Sequence, residues 1–146
     1  MTKKLFSSIV CFLLLTSFKI PSAKGTIIVK INNCRSDNGL ILIALYNSEQ
    51  AYMNESKAIE KKIISIKDQK ATIKFENIPY GQYAFVFFHD ENKNTKLDKN
   101  FMGIPKEGYG FSNAANGTFG PPSFSKSKFE LKQAELTAEV NMGYFF

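Results

Sequence analysis

From Thr26 to Asn32 the apolar residues Ile27, Val29 and Ile31 alternate with Ile28 and Lys30, the two-residue period of a strand that buries one face. Leu40 to Tyr46 is almost continuously apolar, which suits a central strand covered on both faces. Ser36-Asp37-Asn38-Gly39 between them is turn chemistry, so the two are expected to pair as a hairpin. A second hairpin is expected from Lys62 to Ile66 and Ala71 to Phe75, joined by the short turn Lys67 to Lys70. Tyr83 to Phe88 is aromatic and β-branched throughout, and Leu136 to Met142 turns Leu136, Ala138, Val140 and Met142 to one side; both read as core strands. Only Asn47 to Glu60 has a helical flavour, a loop with one turn that Ser48 is placed to cap. Asp98 to Ser127 is glycine- and proline-rich but carries Phe101, Tyr109, Phe111, Phe119 and Phe124, and a long irregular segment with so many aromatics is expected to be ordered and functional. Six or seven short strands separated by turns predict an all-β chain: a single Ig-like or prealbumin-like antiparallel β-sandwich of about seven strands.

The first 25 residues follow a different rule. Lys3 and Lys4 precede the apolar run Leu5 to Phe18, and small residues follow at Ala23 and Gly25, the pattern of a secretory signal peptide. The run is shorter than the roughly 20 residues that a membrane-spanning helix needs. The expected organisation is therefore a signal over 1–25, a mature start at Thr26 and one domain over 26–146, exported to the periplasm, the outer surface or the medium, with no transmembrane segment after cleavage. Removing Lys3, Lys4, Lys19 and Lys24 from the 19 basic residues leaves 15 against 13 acidic, so the mature net charge is only +2. The remaining lysines are scattered singly, which argues against nucleic acid as a partner. Cys11 lies inside the signal, so Cys34 has no intramolecular disulfide partner in the mature chain. A final aromatic after alternating residues also suits an outer-membrane barrel, but the strands are too few and too short for one.

The chemistry is concentrated after the Tyr83 strand. Asp90, Asn92, Asn94 and Asp98 occupy the first, third, fifth and ninth places of a calcium loop, and Lys96 would contribute its backbone carbonyl. Two positions depart from that pattern. Thr95 stands where glycine makes the sharp turn, and Phe101 stands where a bidentate glutamate closes the sphere, leaving Glu91 or Glu107 as substitutes. Such a site belongs with the weak extracellular class; the competing reading is an Asx-rich loop in which Asp90, Asn92 and Asn94 bond their own backbone. His89 is the only histidine, so no second one completes a zinc set, and strand alternation puts it on the face opposite Asp90. It is expected to be a strand-end side chain bonded to backbone. Tyr109, Phe111, Asn113 and Phe119 form a candidate recognition surface, against the alternative that the aromatics cap the sandwich as a small core.

Several stretches together are specific. Asn77-Ile78-Pro79-Tyr80-Gly81-Gln82-Tyr83-Ala84, His89 to Asp98, Gly103 to Asn113 and Gly120-Pro121-Pro122 resemble the bacterial exported family catalogued as domain of unknown function 2141. The resemblance implies a transthyretin-like or carboxypeptidase-regulatory-like β-sandwich with no established activity. The expected function is a non-enzymatic binding or interaction module whose partner is an envelope protein, a peptide or a carbohydrate, with calcium as the one candidate cofactor. The alternative is an envelope hydrolase or other enzyme built on His89 and nearby carboxylates, for which the chain offers no nucleophile elbow, zinc pair or phosphate loop.

Overall fold

The computed structural model describes residues 23–117 and 120–145, so all but the last three residues of the expected signal lie outside the described residues. Eight strands occur among them: β1 (Lys24–Asn32), β2 (Leu40–Tyr46), β3 (Glu60–Ile64), β4 (Ala71–Pro79), β5 (Gly81–Asp90), β6 (Tyr109–Phe111), β7 (Phe129–Leu131) and β8 (Glu135–Asn141). They form two layers. One sheet has the order β4-β1-β8; the other runs β3-β2-β5-β6, with β7 on the same side of β5 as a second short partner. The all-β sandwich read from the alternation is therefore the fold, with one strand more than expected because β6 and β7 are only three residues each.

Alternation shows directly in burial. Ile27, Val29 and Ile31 of β1 face Ile41, Ile43 and Leu45 of β2 across the core, together with Ile73 and Phe75 of β4 and Phe85 and Phe87 of β5. Each such side chain contributes about 1.5–3 kcal/mol on leaving water, so this interlayer seam is the main source of stability. The rings of Phe85 and Phe87 lie 6.1 Å apart, and Phe129 meets Phe85 edge-on at 5.7 Å.

Both expected hairpins are corrected by the pairing. β1 and β2 belong to opposite sheets because their apolar faces bury each other, which two neighbours in one sheet cannot do. Residues 33–39 form an arch between layers: Cys34 is buried in the core, and Asp37 accepts hydrogen bonds from the N–H groups of Asp68 (3.1 Å) and Gln69 (2.6 Å). Those two residues have φ of 53° and 58°, the form of a two-residue type I′ turn between Lys67 and Lys70. The turn is therefore as expected, but β3 and β4 part into different sheets on either side of it. Nor is the sandwich wholly antiparallel: β8 runs parallel to β1, with Thr26 opposite Glu135 and Asn32 opposite Asn141. β1 also starts before Thr26, since Lys24 and Gly25 pair with Pro79 and Ile78.

The stretch 47–60 contains one 3₁₀ turn, Glu55–Lys57, capped by the side chain of Asn54 rather than by Ser48. Within the glycine-rich segment, Gly110 lies opposite Phe87, and a Cβ there would come within 2.4 Å of the Phe87 ring; only hydrogen lets β6 close on β5 at that point. Tyr109 then exchanges backbone hydrogen bonds with Gly143, at 2.9 and 3.0 Å, joining β6 to the chain just beyond β8. Among the described residues no helix is long and apolar enough to cross a membrane.

Candidate functional site

The loop grows from the end of β5, a strand held along its length by β2 on one side and by β7 and β6 in succession on the other. Its last two residues, His89 and Asp90, are both 0% exposed. The Asp90 carboxylate accepts from the N–H of Asn94 (3.0 Å) and of Thr95 (2.8 Å), so the first loop residue closes the turn on itself. Asn92 Oδ1 also accepts from Asn94 N (3.1 Å), and Asn94 Oδ1 from Lys96 N (2.8 Å). Asp98 meets them from the far side: Asn92 Nδ2 donates to it at 2.6 Å and Asn94 Nδ2 at 3.2 Å. Asp90, Asn92, Asn94 and Asp98 are thus gathered around one turn, as their spacing suggests. The Asx bonds of the competing reading are present as well. Thr95 has the positive φ that its position demands, 63°, and its hydroxyl donates to the Asn94 carbonyl at 2.7 Å.

Glu107, read from the sequence as a spare ligand or as a partner of His89 in the enzyme alternative, has a different place in the structure. It is 5% exposed, and its two carboxylate oxygens accept from the N–H of Glu91 and of Asp98, each at 2.9 Å. One side chain therefore ties the start of the loop to its end. Beyond Asp98 a small hairpin projects, closed by Asn100 N to Ile104 O (2.8 Å) and Lys106 N to Asp98 O (2.8 Å), and Phe101 sits on it 96% exposed, far from any role in closing a coordination sphere. Glu91 is committed elsewhere too, in a bidentate pair with Arg35 (2.7–3.1 Å). That hydrogen bond is the main reason the Arg35 guanidinium holds its proton more tightly than usual.

Arg35 belongs to a second cluster that includes His89. Its guanidinium lies 4.5 Å above the Tyr144 ring, and its backbone N–H donates to the Tyr144 hydroxyl at 2.9 Å. That hydroxyl lies 2.8 Å from His89 Nδ1, while His89 Nε2 lies 2.6 Å from the Asn38 carbonyl. A carbonyl can only accept, so Nε2 carries a proton, and in the neutral ring Nδ1 accepts from Tyr144. His89 is bonded to backbone as expected, and Tyr144 is the partner that its place in a terminal aromatic run did not disclose. Burial pushes the Tyr144 hydroxyl above the ordinary tyrosine range. Neither Asp90, Glu107 nor Tyr109 is a hydrogen-bond partner of the His89 ring.

The candidate recognition residues divide. Tyr109 and Phe111 line a cleft of about 340 Å³ with Gly110, Asn141 and Tyr144. Asn113 turns away and donates to the Lys128 carbonyl at 2.7 Å; Phe119 lies outside the described residues. Phe124 joins Tyr52 and Tyr46 in an edge-to-face row with 5.7 Å spacings, a small core over the outer face of β2.

Among the described residues no three His, Cys, Asp or Glu side chains are grouped to hold an ion, so a cation at the loop would rely on its two asparagines. The chain is thus a two-layer β-sandwich whose most elaborate polar structure is an Asx-rich loop at one strand end. Its sequence matches, over residues 29–139, the family model described as an uncharacterized protein conserved in bacteria, domain of unknown function 2141, and the chain belongs to that family. No curated protein and no solved structure matches it.

Proposed function

We propose that this protein is an exported, non-enzymatic binding module in which Asp90, Asn92, Asn94, Asp98 and the carbonyl of Lys96 take calcium at extracellular concentrations. The observation that carries the metal reading is the convergence on Asp98 of Asn92 (2.6 Å) and Asn94 (3.2 Å), in a turn whose first residue is the Asp90 carboxylate. Rotating either amide by half a turn replaces its Nδ2 with Oδ1, which supplies oxygen ligands without moving the backbone, in exchange for the bond that Asn92 Oδ1 accepts from Asn94 N or Asn94 Oδ1 from Lys96 N. Two carboxylates, two amide oxygens and a carbonyl fit the class with dissociation constants of about 10⁻⁴–10⁻³ M. Export rests on the apolar run Leu5 to Phe18 behind Lys3 and Lys4. The non-enzymatic reading is supported by the use of His89 and Glu107: both ring nitrogens of one and both carboxylate oxygens of the other are spent on holding backbone or Tyr144.

The test is a thermal melt of the exported protein in excess calcium and in chelator. Free ion at about ten times the dissociation constant adds about 1.4 kcal/mol, a few degrees in a domain of this size. Asp98→Asn should remove most of that increment while the chelated form stays folded, because the Asp98 carboxylate accepts only from side-chain amides. Asp90→Asn is the poorer variant: buried and bonded to two backbone N–H groups, it should weaken the protein with or without calcium. Equal melting temperatures of wild type in calcium and chelator would sink the metal reading and leave an Asx-rich turn.

A further inference from the structure

The outward faces of the two sheets are chemically unlike. On the β4-β1-β8 sheet, Lys30, Thr72, Lys74, Thr137 and Glu139 are exposed, as water requires. On the other sheet one outward row is apolar across three strands, Ile63, Leu42 and Phe88, and in the next row Ala44 and Val86 stand side by side with Lys61 beyond them on β3. Ile63 is 56% exposed on the edge strand. The loop segment Thr95 to Lys99 overhangs this face and encloses a cleft of about 720 Å³, within the ordinary size range of a small-molecule site.

We propose that this cleft binds a free long-chain fatty acid, with the acyl chain along Leu42, Val86 and Phe88 and the carboxylate against Lys96 and Lys99. This names a ligand class for the binding-module reading and does not depend on calcium. The floor excludes other chemistries. β2 is hydrogen-bonded to β3 on one side and to β5 on the other, so an extended peptide lying along the floor would find no main-chain partners on β2; only the outer edge of β3 is open to one. A sugar would bring its hydroxyls over Leu42, Ala44, Val86 and Phe88, which cannot bond them; the polar groups Tyr46, Glu55 and Thr95 also line the cleft. An acyl chain needs only apolar contact.

The rim supplies the charge. Lys96 and Lys99, on either side of the half-buried Leu97, have no ion-pair partner among the described residues and both line the cleft. Lys61 lies on the rim as well, paired with Glu55 at 2.9 Å. A flexible lysine pair can meet a carboxylate without a fixed fork geometry.

The experiment is a titration of the exported protein with palmitate below its aggregation threshold, in chelator so that calcium soaps do not form, read by calorimetry. Saturable 1:1 binding is expected. The double variant Lys96→Glu with Lys99→Glu should weaken it about tenfold or more, since it removes a charge-assisted contact. Ile63→Asp, a change at an exposed edge position that the fold tolerates, should do the same by placing a carboxylate on the apolar wall. No binding, or equal binding by wild type and both variants, overturns the proposal. So does equal affinity for hexadecylamine, which would mean apolar adsorption without head-group recognition, and so does binding to anionic vesicles with none to monomeric palmitate, which would mean a membrane surface. If palmitate fails while calcium still raises the melting temperature, the module reading stands and only this ligand falls.

Discussion

Replacing Glu107 by glutamine tests whether one buried carboxylate holds the loop closed. The substitution keeps size and removes charge. Glu107 accepts from the N–H of Glu91 and of Asp98, at 2.9 Å each; glutamine can accept one of these and must turn its own NH₂ toward the other. One buried hydrogen bond is lost and a backbone donor is left unpaired, which costs about 1–3 kcal/mol. For a domain of this length that is a fall of about 4–12 °C in melting temperature. Glu91→Gln is the matched control, because it weakens only the partly exposed pair with Arg35 and should cost under about 1 kcal/mol. Amide exchange locates the effect: the N–H groups of Glu91 and Asp98 should lose protection in Glu107→Gln first, while those of β2 and β5 keep theirs. A Glu107→Gln protein that melts within about 2 °C of wild type, with both amides still protected, would refute the staple.

Two further outcomes follow from the Tyr144 cluster. Tyr144→Phe removes the hydroxyl that accepts from Arg35 N–H and donates to His89 Nδ1, leaving both unpaired; stability should fall by about 1–3 kcal/mol, and a melt equal to wild type would mean the two bonds contribute nothing. Burial also raises the pKa of Tyr144, as it does for Tyr46, Tyr52 and Tyr83. A group whose folded pKa is raised holds its proton more tightly when folded, so this stability is complete below the unfolded value of about 10 and is lost as pH rises through the folded values. Denaturant titrations above about pH 10 should show stability falling, less steeply in Tyr144→Phe; a flat profile to high pH would contradict it.

Local patterns were legible to the extent that they are local. Alternation identified the strands and their buried faces because Ile27, Val29, Ile31 and Phe75 each answer to neighbours two residues away. It could not say which layer a strand joins, since two strands with facing apolar sides look the same as two that are paired. Hence both hairpins were misplaced, and the parallel union of β1 with β8, which sets Thr26 beside Glu135, left no trace in either strand alone. The loop ligands were visible because their spacing lies within nine residues. Arg35 and Tyr144 were not, nor was the tie that Glu107 makes between Glu91 and Asp98: Arg35 meets Tyr144 across 109 positions of chain, and no periodicity connects them. The apolar outer face of β2 was visible as a near-continuous run, but its meaning changes once one knows that a lysine-bearing loop, rather than a second layer of protein, overhangs it.

The two proposed sites share the segment between β5 and β6. Its inner side is pinned by the buried Asp90 and tied by Glu107, while Lys96, Leu97 and Lys99 on its outer side line the cleft. Asp98 sits between Leu97 and Lys99, so an ion that draws Asp98 inward restricts the residues on both sides of it. If calcium thereby orders the lysines, it lowers the conformational cost of holding an anionic head group there, and the two ligands cooperate. Linkage then demands reciprocity: whatever factor calcium adds to fatty-acid affinity, fatty acid must add to calcium affinity. Strontium, as a calcium stand-in with a short-chain carboxylate that stays in solution, allows both sides of that equality to be titrated. A factor of one in both titrations would mean that the two sites are not coupled through this loop, whatever each binds alone.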